Sequence, residues 1–254
     1  MKKTAPLLAL ALILVLTPLA SRRAHAQPAD TVQSVIDKHL AAMGGRDAIA
    51  KITTRHSTGM IALSTPVGEL SGPVELFLKA PNRSRAVMTL DLTALGASGN
   101  LTVEQIFDGT EAWSINPMQG DQPITGVQLE NMKYSSFPSF FLTKTFDGNT
   151  LELQPRETIA GKAWIVMKIT RPSGAFATAY FDPATYLVGR TVSLVENPNG
   201  GTIQQSSEQS DYRTVDGIKV PFSIVNSSEI QTVTIKLTKV EQNVTVDDGM
   251  FHKK

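Results

Sequence analysis

The apolar residues of this chain first follow a helical period and then, after residue 51, a strand period. Near the N-terminus, apolar side chains recur at the three- and four-residue spacing of an amphipathic helix; they are Val32, Val35, Ile36, Leu40 and Met43. Asp30 is placed to cap this helix and Gln33 to complete a capping box. Residues 44 and 45, both glycine, are placed to end it. A second short helical turn is predicted over residues 47–51.

The rest of the chain alternates apolar and polar residues, which is the period of a strand with one buried face. In the clearest hairpin, Val74, Leu76 and Leu78 alternate with polar residues before a turn at residues 80–82. Similar runs between Gly, Pro, Asn and Asp turns predict roughly ten strands. Short turns and the lack of a βαβ rhythm favour an antiparallel meander. The expected fold is mainly β with few helices, built on a strongly curved antiparallel sheet or barrel.

One segment, residues 124–146, interrupts this alternation with a concentration of apolar and aromatic side chains. We expect it to be helical and broken at Pro138, which can occupy the first turn of a second helical piece. Two interpretations of its phenylalanines are open. They fill the concave face of the sheet as ordinary core, or they line a cavity that accepts lipid.

Residues 1–26 have the three parts of a secretory signal peptide. A basic start is followed by a compact apolar run over residues 7–16 and by small residues before a cleavage site after Ala26. Ten apolar residues rise only about 15 Å as a helix, roughly half of a bilayer core, so a permanent membrane anchor is the weaker interpretation. We therefore expect an exported protein, folded as a single domain over residues 27–254.

Composition removes several classes of function. Loss of residues 1–26 takes four of the 24 basic residues and no acidic residue, which leaves 20 against 23 and no basic stripe suited to nucleic acid. The absence of cysteine excludes disulfides, zinc–thiolate sites and a cysteine nucleophile. The histidines are not at metal-ligand spacing, and no serine-nucleophile motif or phosphate-binding loop is present. We therefore expect no catalytic residue, metal, cofactor or enzymatic activity.

Five short segments, read in order, resemble the outer-membrane lipoprotein-sorting, LolA/LolB-like superfamily of bacterial periplasmic proteins. They are IDKHLAAMGGRDAI (36–49), KAPNR (79–83), FDGTEAW (107–113), DYRTVDGIKVPF (211–222) and VEQN (240–243). The series spans nearly all of the chain after residue 26. The order of the segments, rather than any one of them, carries the resemblance.

The resemblance implies a half-open β-barrel with a helical lid, whose hydrophobic cavity holds the acyl chains of a lipoprotein or related lipid. The residues that we expect to line this cavity are large and apolar: Met88, Leu90, Trp113, Met132, Phe137, Phe140, Phe141 and Met167. In carriers of this superfamily an arginine near the cavity helps to control closure of the lid. Arg83 and Arg85, in the strand after the turn at residues 80–82, are the candidates for that role.

The function that the resemblance implies is that of a periplasmic, non-enzymatic binding protein for transport or sorting in the cell envelope. Its expected partners are a lipid or acylated lipoprotein and, transiently, envelope membrane proteins, but not nucleic acid. Two alternatives stay open. One is an envelope sensor or scaffold module that uses the same barrel to bind a protein partner; the other is a hydrolase, for which no nucleophile is visible.

Overall fold

The computed structural model describes residues 30–66, 68–142, 148–197 and 200–253, so the predicted signal peptide lies outside the described residues. Within these ranges the chain forms three α-helices and thirteen β-strands. The helices are α1 (Val32–Met43), α2 (Arg46–Ala50) and α3 (Gly126–Lys133). The strands are β1 (Thr54–Thr65), β2 (Gly68–Lys79), β3 (Arg83–Asp91), β4 (Asn100–Phe107), β5 (Ala112–Ile115), β6 (Gln122–Ile124), β7 (Thr150–Ile159), β8 (Lys162–Thr170), β9 (Phe176–Phe181), β10 (Val188–Glu196), β11 (Thr202–Val215), β12 (Ile218–Ser227) and β13 (Thr232–Gln242).

All thirteen strands belong to one antiparallel sheet in the order β6-β5-β4-β3-β2-β1-β13-β12-β11-β10-β9-β8-β7. Strands consecutive in sequence pair with each other except β6 and β7, and β1 also pairs with β13, which joins the two halves of the meander. The edge strands are therefore β6 and β7, and no ladder pairs them within the described residues. Residues 125–142 and 148–149, the described part of the chain between these two edge strands, are called the insert below. The predicted fold class is confirmed.

The position of α3 shows that the sheet is strongly curved. Leu129 and Met132, on one side of α3, pack against a buried cluster from β4, β5 and the end of β6. On the other side, the Asn131 side-chain amide donates a hydrogen bond to the Leu194 carbonyl in β10, at 2.9 Å. In a flat sheet β4 and β10 would lie seven strand spacings apart, about 33 Å, whereas an eight-residue helix is only about 12 Å long. The two arms of the sheet must therefore curl toward each other, with α3 between them.

The largest core cluster lies on the concave face of β8 and β9. The apolar side of α1 packs there against strand residues such as Ile165, Met167 and Phe181, and Phe137 and Phe141 of the insert join the same cluster. The sequence pattern predicts this role for α1. Its most buried apolar residues, Val35, Ile36 and Leu40, belong to the predicted apolar side. No helix in the described ranges is long and apolar enough to cross a membrane.

The N-terminal cap of α1 differs from the prediction. Thr31, not Asp30, is the N-cap, and its capping box is completed by Ser34 rather than Gln33. Asp30 instead accepts ion pairs from Lys38 and Arg156, both at 3.0 Å. A tertiary contact with β7 therefore takes the carboxylate that the local pattern assigns to the cap.

The insert is less helical than predicted. Its helix α3 ends at Lys133, and a 3-10 turn, Phe140–Leu142, follows after an irregular stretch. The Phe137 amide donates to the Pro81 carbonyl, at 2.7 Å, in the turn between β2 and β3. That bond directs the backbone away from a helical path, so the prediction of helix up to Pro138 is wrong. Residues 143–146 of the predicted segment lie outside the described residues.

Candidate ligand-binding cavity

A cavity of about 350 Å³ lies between α1, the insert and the concave face of β8 to β12. This volume is within the range of small-molecule sites, roughly 300–1,000 Å³. The apolar part of its lining is made by Met43, Phe140, Phe141, Ile169, Ala177, Ala179, Val188 and Pro221. One wall is therefore rigid sheet, and the opposite wall belongs to the insert.

The floor of the cavity exists because β9 carries two small residues where β8 carries large ones, and β10 also places only the short Thr191 and Ser193 opposite them. Ala177 is directly opposite Ile169 of β8, and Ala179 is opposite Met167. Side chains at opposite positions of an antiparallel pair share one face and contact each other. An alanine leaves that face without the volume of a larger side chain, and the space between β9 and the insert stays open.

The roof is formed by the 3-10 turn of the insert. The rings of Phe140 and Phe141 contact each other with centroids 5.0 Å apart, and Phe141 also packs against Phe181 of β9, at 5.9 Å. Arg46 of α2 donates a hydrogen bond to the carbonyl of Leu142 at 3.1 Å. The helical N-terminal region therefore holds the end of the turn in place over the floor.

His39 is a buried polar residue in the wall of this cavity. Its ring meets Phe141 and Phe181 edge to face, each with centroids 5.3 Å apart. Its Nδ1 lies 2.9 Å from the Tyr186 carbonyl oxygen. A carbonyl only accepts, so Nδ1 carries the proton and Nε2 is the unprotonated ring nitrogen. Burial lowers the pKa of His39, which keeps the ring neutral beside the phenylalanines.

The other end of the cavity is polar. Arg171, directly after β8, lines it together with Tyr134 of the insert. The guanidinium lies 5.2 Å from the Tyr134 ring centroid and donates to the Asn131 side-chain oxygen at 2.7 Å. Burial lowers the pKa of Arg171, and the charge of Glu130 opposes that shift. Tyr212 also lines the cavity, and burial raises the pKa of its hydroxyl group. Polar groups therefore occur along the cavity, with the charge of Arg171 at one end and the Tyr212 hydroxyl, bonded to the Val188 carbonyl, at the other.

The structure brings part of the predicted set of cavity residues together. Phe140 and Phe141 line the cavity, and Phe137 and Met167 belong to the core cluster beside it. The other predicted residues lie elsewhere: Met88 and Leu90 in a cluster of β1 to β3, Met132 against β4 to β6, and Trp113 under the Nζ of Lys253. Their contribution to binding stays a prediction.

Arg83 and Arg85, the predicted lid-control residues, do not contact the insert through the interactions that the structure describes. Arg83 pairs with Asp248 at 3.1 Å and Arg85 with Glu104 at 2.6 Å. Arg85 is opposite Phe77 in the β2–β3 ladder, whereas the alternate residues of β2 pack in the core. The side-chain alternation of the strand therefore places both arginines on the convex face. Their role in lid control stays a prediction.

An arginine that the sequence pattern does not indicate contacts the insert instead. The guanidinium of Arg55 in β1 lies 5.2 Å from the Phe137 ring centroid. Burial lowers the pKa of Arg55 to about 10. Its strand neighbours on the same face, Ser57 and Gly59, give no apolar alternation that would mark the position as inward. Among the residues described, no group of three or more His, Asp or Glu side chains could hold a metal ion.

Comparison with solved structures identifies the architecture. A LolA superfamily protein from Nitrosomonas europaea matches with a TM-score of 0.55 and 14% identity, over 89% of this chain and 99% of its own. The chain has the LolA-like fold. A DUF1329 family protein from Desulfovibrio piger matches equally well, with a TM-score of 0.55 and 15% identity, over 88% of this chain and 98% of its own. A domain named for outer membrane lipoprotein sorting, from Vibrio parahaemolyticus, matches with a TM-score of 0.53 and 10% identity, over 85% of this chain and 94% of its own.

No protein-family model and no curated protein matches this chain. At identities of 10 to 15%, the structural matches establish a shared LolA-like fold and not a shared ligand. Function must therefore be argued from the cavity.

Proposed function

We propose that the protein is a non-enzymatic carrier of the bacterial cell envelope that holds an acyl chain of a lipid or lipoprotein in the cavity beneath the insert. In this proposal it acts in the periplasm, as a single domain of residues 27–254, after cleavage near Ala26. The observation that supports it most is the 350 Å³ cavity itself. Its apolar part, with aromatic side chains on one wall, suits a flexible hydrocarbon chain.

The origin of the two walls supports carriage rather than permanent storage. The floor is part of a continuous hydrogen-bonded sheet, in which Ala177 and Ala179 are fixed by pairing on both sides. The roof, Phe140 and Phe141, belongs to a connecting segment with short 3-10 structure. A ligand that enters from the roof side needs movement of the connection only, and the sheet can keep its shape.

The first experiment identifies the cargo directly. The full chain would be expressed in a bacterium, purified without detergent, and examined by native mass spectrometry with solvent extraction of bound lipid. We expect a stoichiometric lipid on a protein that has lost residues 1–26. A clean apo mass that also fails to bind added phospholipid or acylated peptide would contradict the carrier and favour the sensor or scaffold alternative.

Phe140→Asp tests whether the roof contacts the cargo. Phe140 lines the cavity but is only partly buried, so the variant should fold, whereas Phe141 is 8% exposed and packs in the core. A carboxylate in an apolar site is strongly unfavourable, and we expect loss of the co-purified lipid. The matched control is Phe176→Asp, because Phe176 is 45% exposed and does not line the cavity. Unchanged lipid content in folded Phe140→Asp protein would contradict the proposal.

A further inference from the structure

We propose that the ligand is a single-chain anionic amphiphile, whose acyl chain lies over the alanine floor and whose carboxylate or phosphate group lies at Arg171. This inference rests on the proposed carrier function and specifies the class of cargo. Three features support it: the size of the cavity, its direction along the strands, and the uncharged direct contacts of the Arg171 guanidinium.

The size of the cavity admits one acyl chain. An apolar cavity of about 150 Å³ accommodates benzene, which corresponds to roughly 25 Å³ per carbon atom. At that density the 350 Å³ cavity holds roughly 14 carbon atoms. The two chains of a phospholipid and the three of a triacylated protein would need about two and three times this volume. In the conformation described, the site therefore suits a single chain.

The cavity runs along the strands, with the charged Arg171 at one end and, at the other, the Tyr212 hydroxyl bonded to the Val188 carbonyl. Ile165 is opposite Phe181, and Phe181 is opposite Val188, which lines the far end of the cavity. Arg171 lies six residues along the chain from Ile165, a distance of about 20 Å in an extended strand. The apolar residues Ile169 and Ala177 lie between these ends. A chain that fills the apolar part would therefore bring its headgroup to the guanidinium.

The charge of Arg171 is oriented but not neutralised by its direct contacts. Its hydrogen bond goes to the Asn131 amide oxygen, and its face lies against the Tyr134 ring. Asn131 is itself fixed by its bond to β10, so the guanidinium is held in place by uncharged groups. The acidic residue that acts on it electrostatically is Glu130, whose carboxylate accepts a hydrogen bond from the Ser173 hydroxyl. An arginine in this state retains N–H donors suited to a planar carboxylate or a phosphate.

The test uses delipidated protein and four probes with the same chain: myristate, its methyl ester, lyso-myristoyl phosphatidylglycerol and dimyristoyl phosphatidylglycerol. Binding is measured by displacement of a fluorescent fatty acid. We expect myristate or the lysophospholipid to bind roughly 10- to 100-fold more tightly than the uncharged ester, the range of a charged hydrogen bond. The diacyl lipid should bind more weakly than its single-chain counterpart. The preferred anion distinguishes a fatty acid from a lysophospholipid source.

Arg171→Gln should remove the preference for the anion and leave binding of the methyl ester unchanged, while Arg171→Lys should keep part of the preference. Lys168→Gln is the matched control. Lys168 carries the same charge three residues earlier and lies over the Phe176 ring, away from the cavity lining. Thermal unfolding of each variant confirms that the fold is retained.

The outcomes separate this inference from the carrier proposal. If the ester binds as tightly as myristate and Arg171→Gln has no effect, the headgroup assignment is wrong although the protein still carries acyl chains. If the diacyl lipid binds as tightly as the lysophospholipid, the single-chain assignment is wrong. If no probe binds and the protein purifies without lipid, the carrier proposal itself is wrong.

Discussion

His39→Asn should change how the stability of the protein depends on pH. The imidazole is only 5% exposed and contacts Phe141 and Phe181 through its edges. Its one described hydrogen bond joins Nδ1 to the Tyr186 carbonyl. The side-chain nitrogen of asparagine can occupy the position of Nδ1 and keep that bond, while the variant has no group that titrates. The substitution therefore removes the titration with limited disturbance of the polar contact.

The sign of the effect follows from the burial of the ring. Desolvation lowers the pKa of His39 below its usual 6.5, so the unfolded chain binds a proton more readily than the folded protein. The unfolding free energy is therefore highest above about pH 6.5, where the ring is neutral in both states, and it decreases as the pH falls below that value. The loss amounts to about 1.4 kcal/mol per pH unit until the pKa of the folded state is reached. His39→Asn should lack this slope.

The assay is urea unfolding of the parent protein and the variant at intervals between about pH 5 and pH 8, the range in which histidine titrates. His56 and His252 are present in both proteins, so the difference between the two curves isolates His39. The variant should be less stable at pH 8, because a smaller side chain leaves part of the aromatic contact unfilled. The two curves should converge as the pH falls. Parallel curves would show that the ring does not titrate as a buried neutral group, and would refute the reasoning.

Two further substitutions test the sheet and its contact with the insert. Gly59→Ala should destabilise the protein by roughly 1–3 kcal/mol, because a Cβ there would overlap the Lys236 carbonyl oxygen at the irregular point of the β1–β13 ladder. The control in the same denaturant experiment is Gly249→Ala, where a Cβ meets only ordinary contacts. Arg55→Met should keep or raise the unfolding free energy, because it replaces a desolvated charge over Phe137 with an apolar side chain. A clear loss of stability would contradict this expectation and show that the charge has a stabilising partner.

The alternation of apolar residues is sufficient to predict the central strands but not the edges of the sheet. β6 is only three residues long, and the second half of β7 is exposed and polar around Pro155. β6 is too short to show a period of two, and in β7 only Leu151 and Leu153 alternate with polar residues before Pro155, which is too short a run to predict a strand. The predicted cap of α1, Asp30, is wrong for a related reason. Thr31 and Asp30 are both good capping residues, and the ion pairs of Asp30 with Lys38 and the distant Arg156 decide between them.

The cavity is harder to predict than the core because it depends on missing volume. Size and hydrophobicity point to Phe140, Phe141 and Met167, and these residues do lie at or beside the site. The space itself depends on Ala177 and Ala179, which are unremarkable in sequence and matter only because large residues lie opposite them. The same limit applies to Arg171. Its charge lines the cavity only because the β8–β9 turn and α3 approach each other in the folded sheet.

The energetics of the cavity indicate which element moves when cargo is exchanged. Burial of roughly 14 methylene groups gains about 11 kcal/mol before association costs of about 4–15 kcal/mol are subtracted, so a single chain binds reversibly. The described backbone attachments of the insert include Phe137 to Pro81 and Val127 to the Glu196 carboxylate. Each such bond contributes about 0.5–1.5 kcal/mol. Apolar packing holds the insert more strongly than these bonds, because Phe137 and Phe141 belong to the largest core cluster. Exchange should therefore proceed by local movement of the partly buried Phe140 at the roof, while α1, the sheet and the core phenylalanines remain in place.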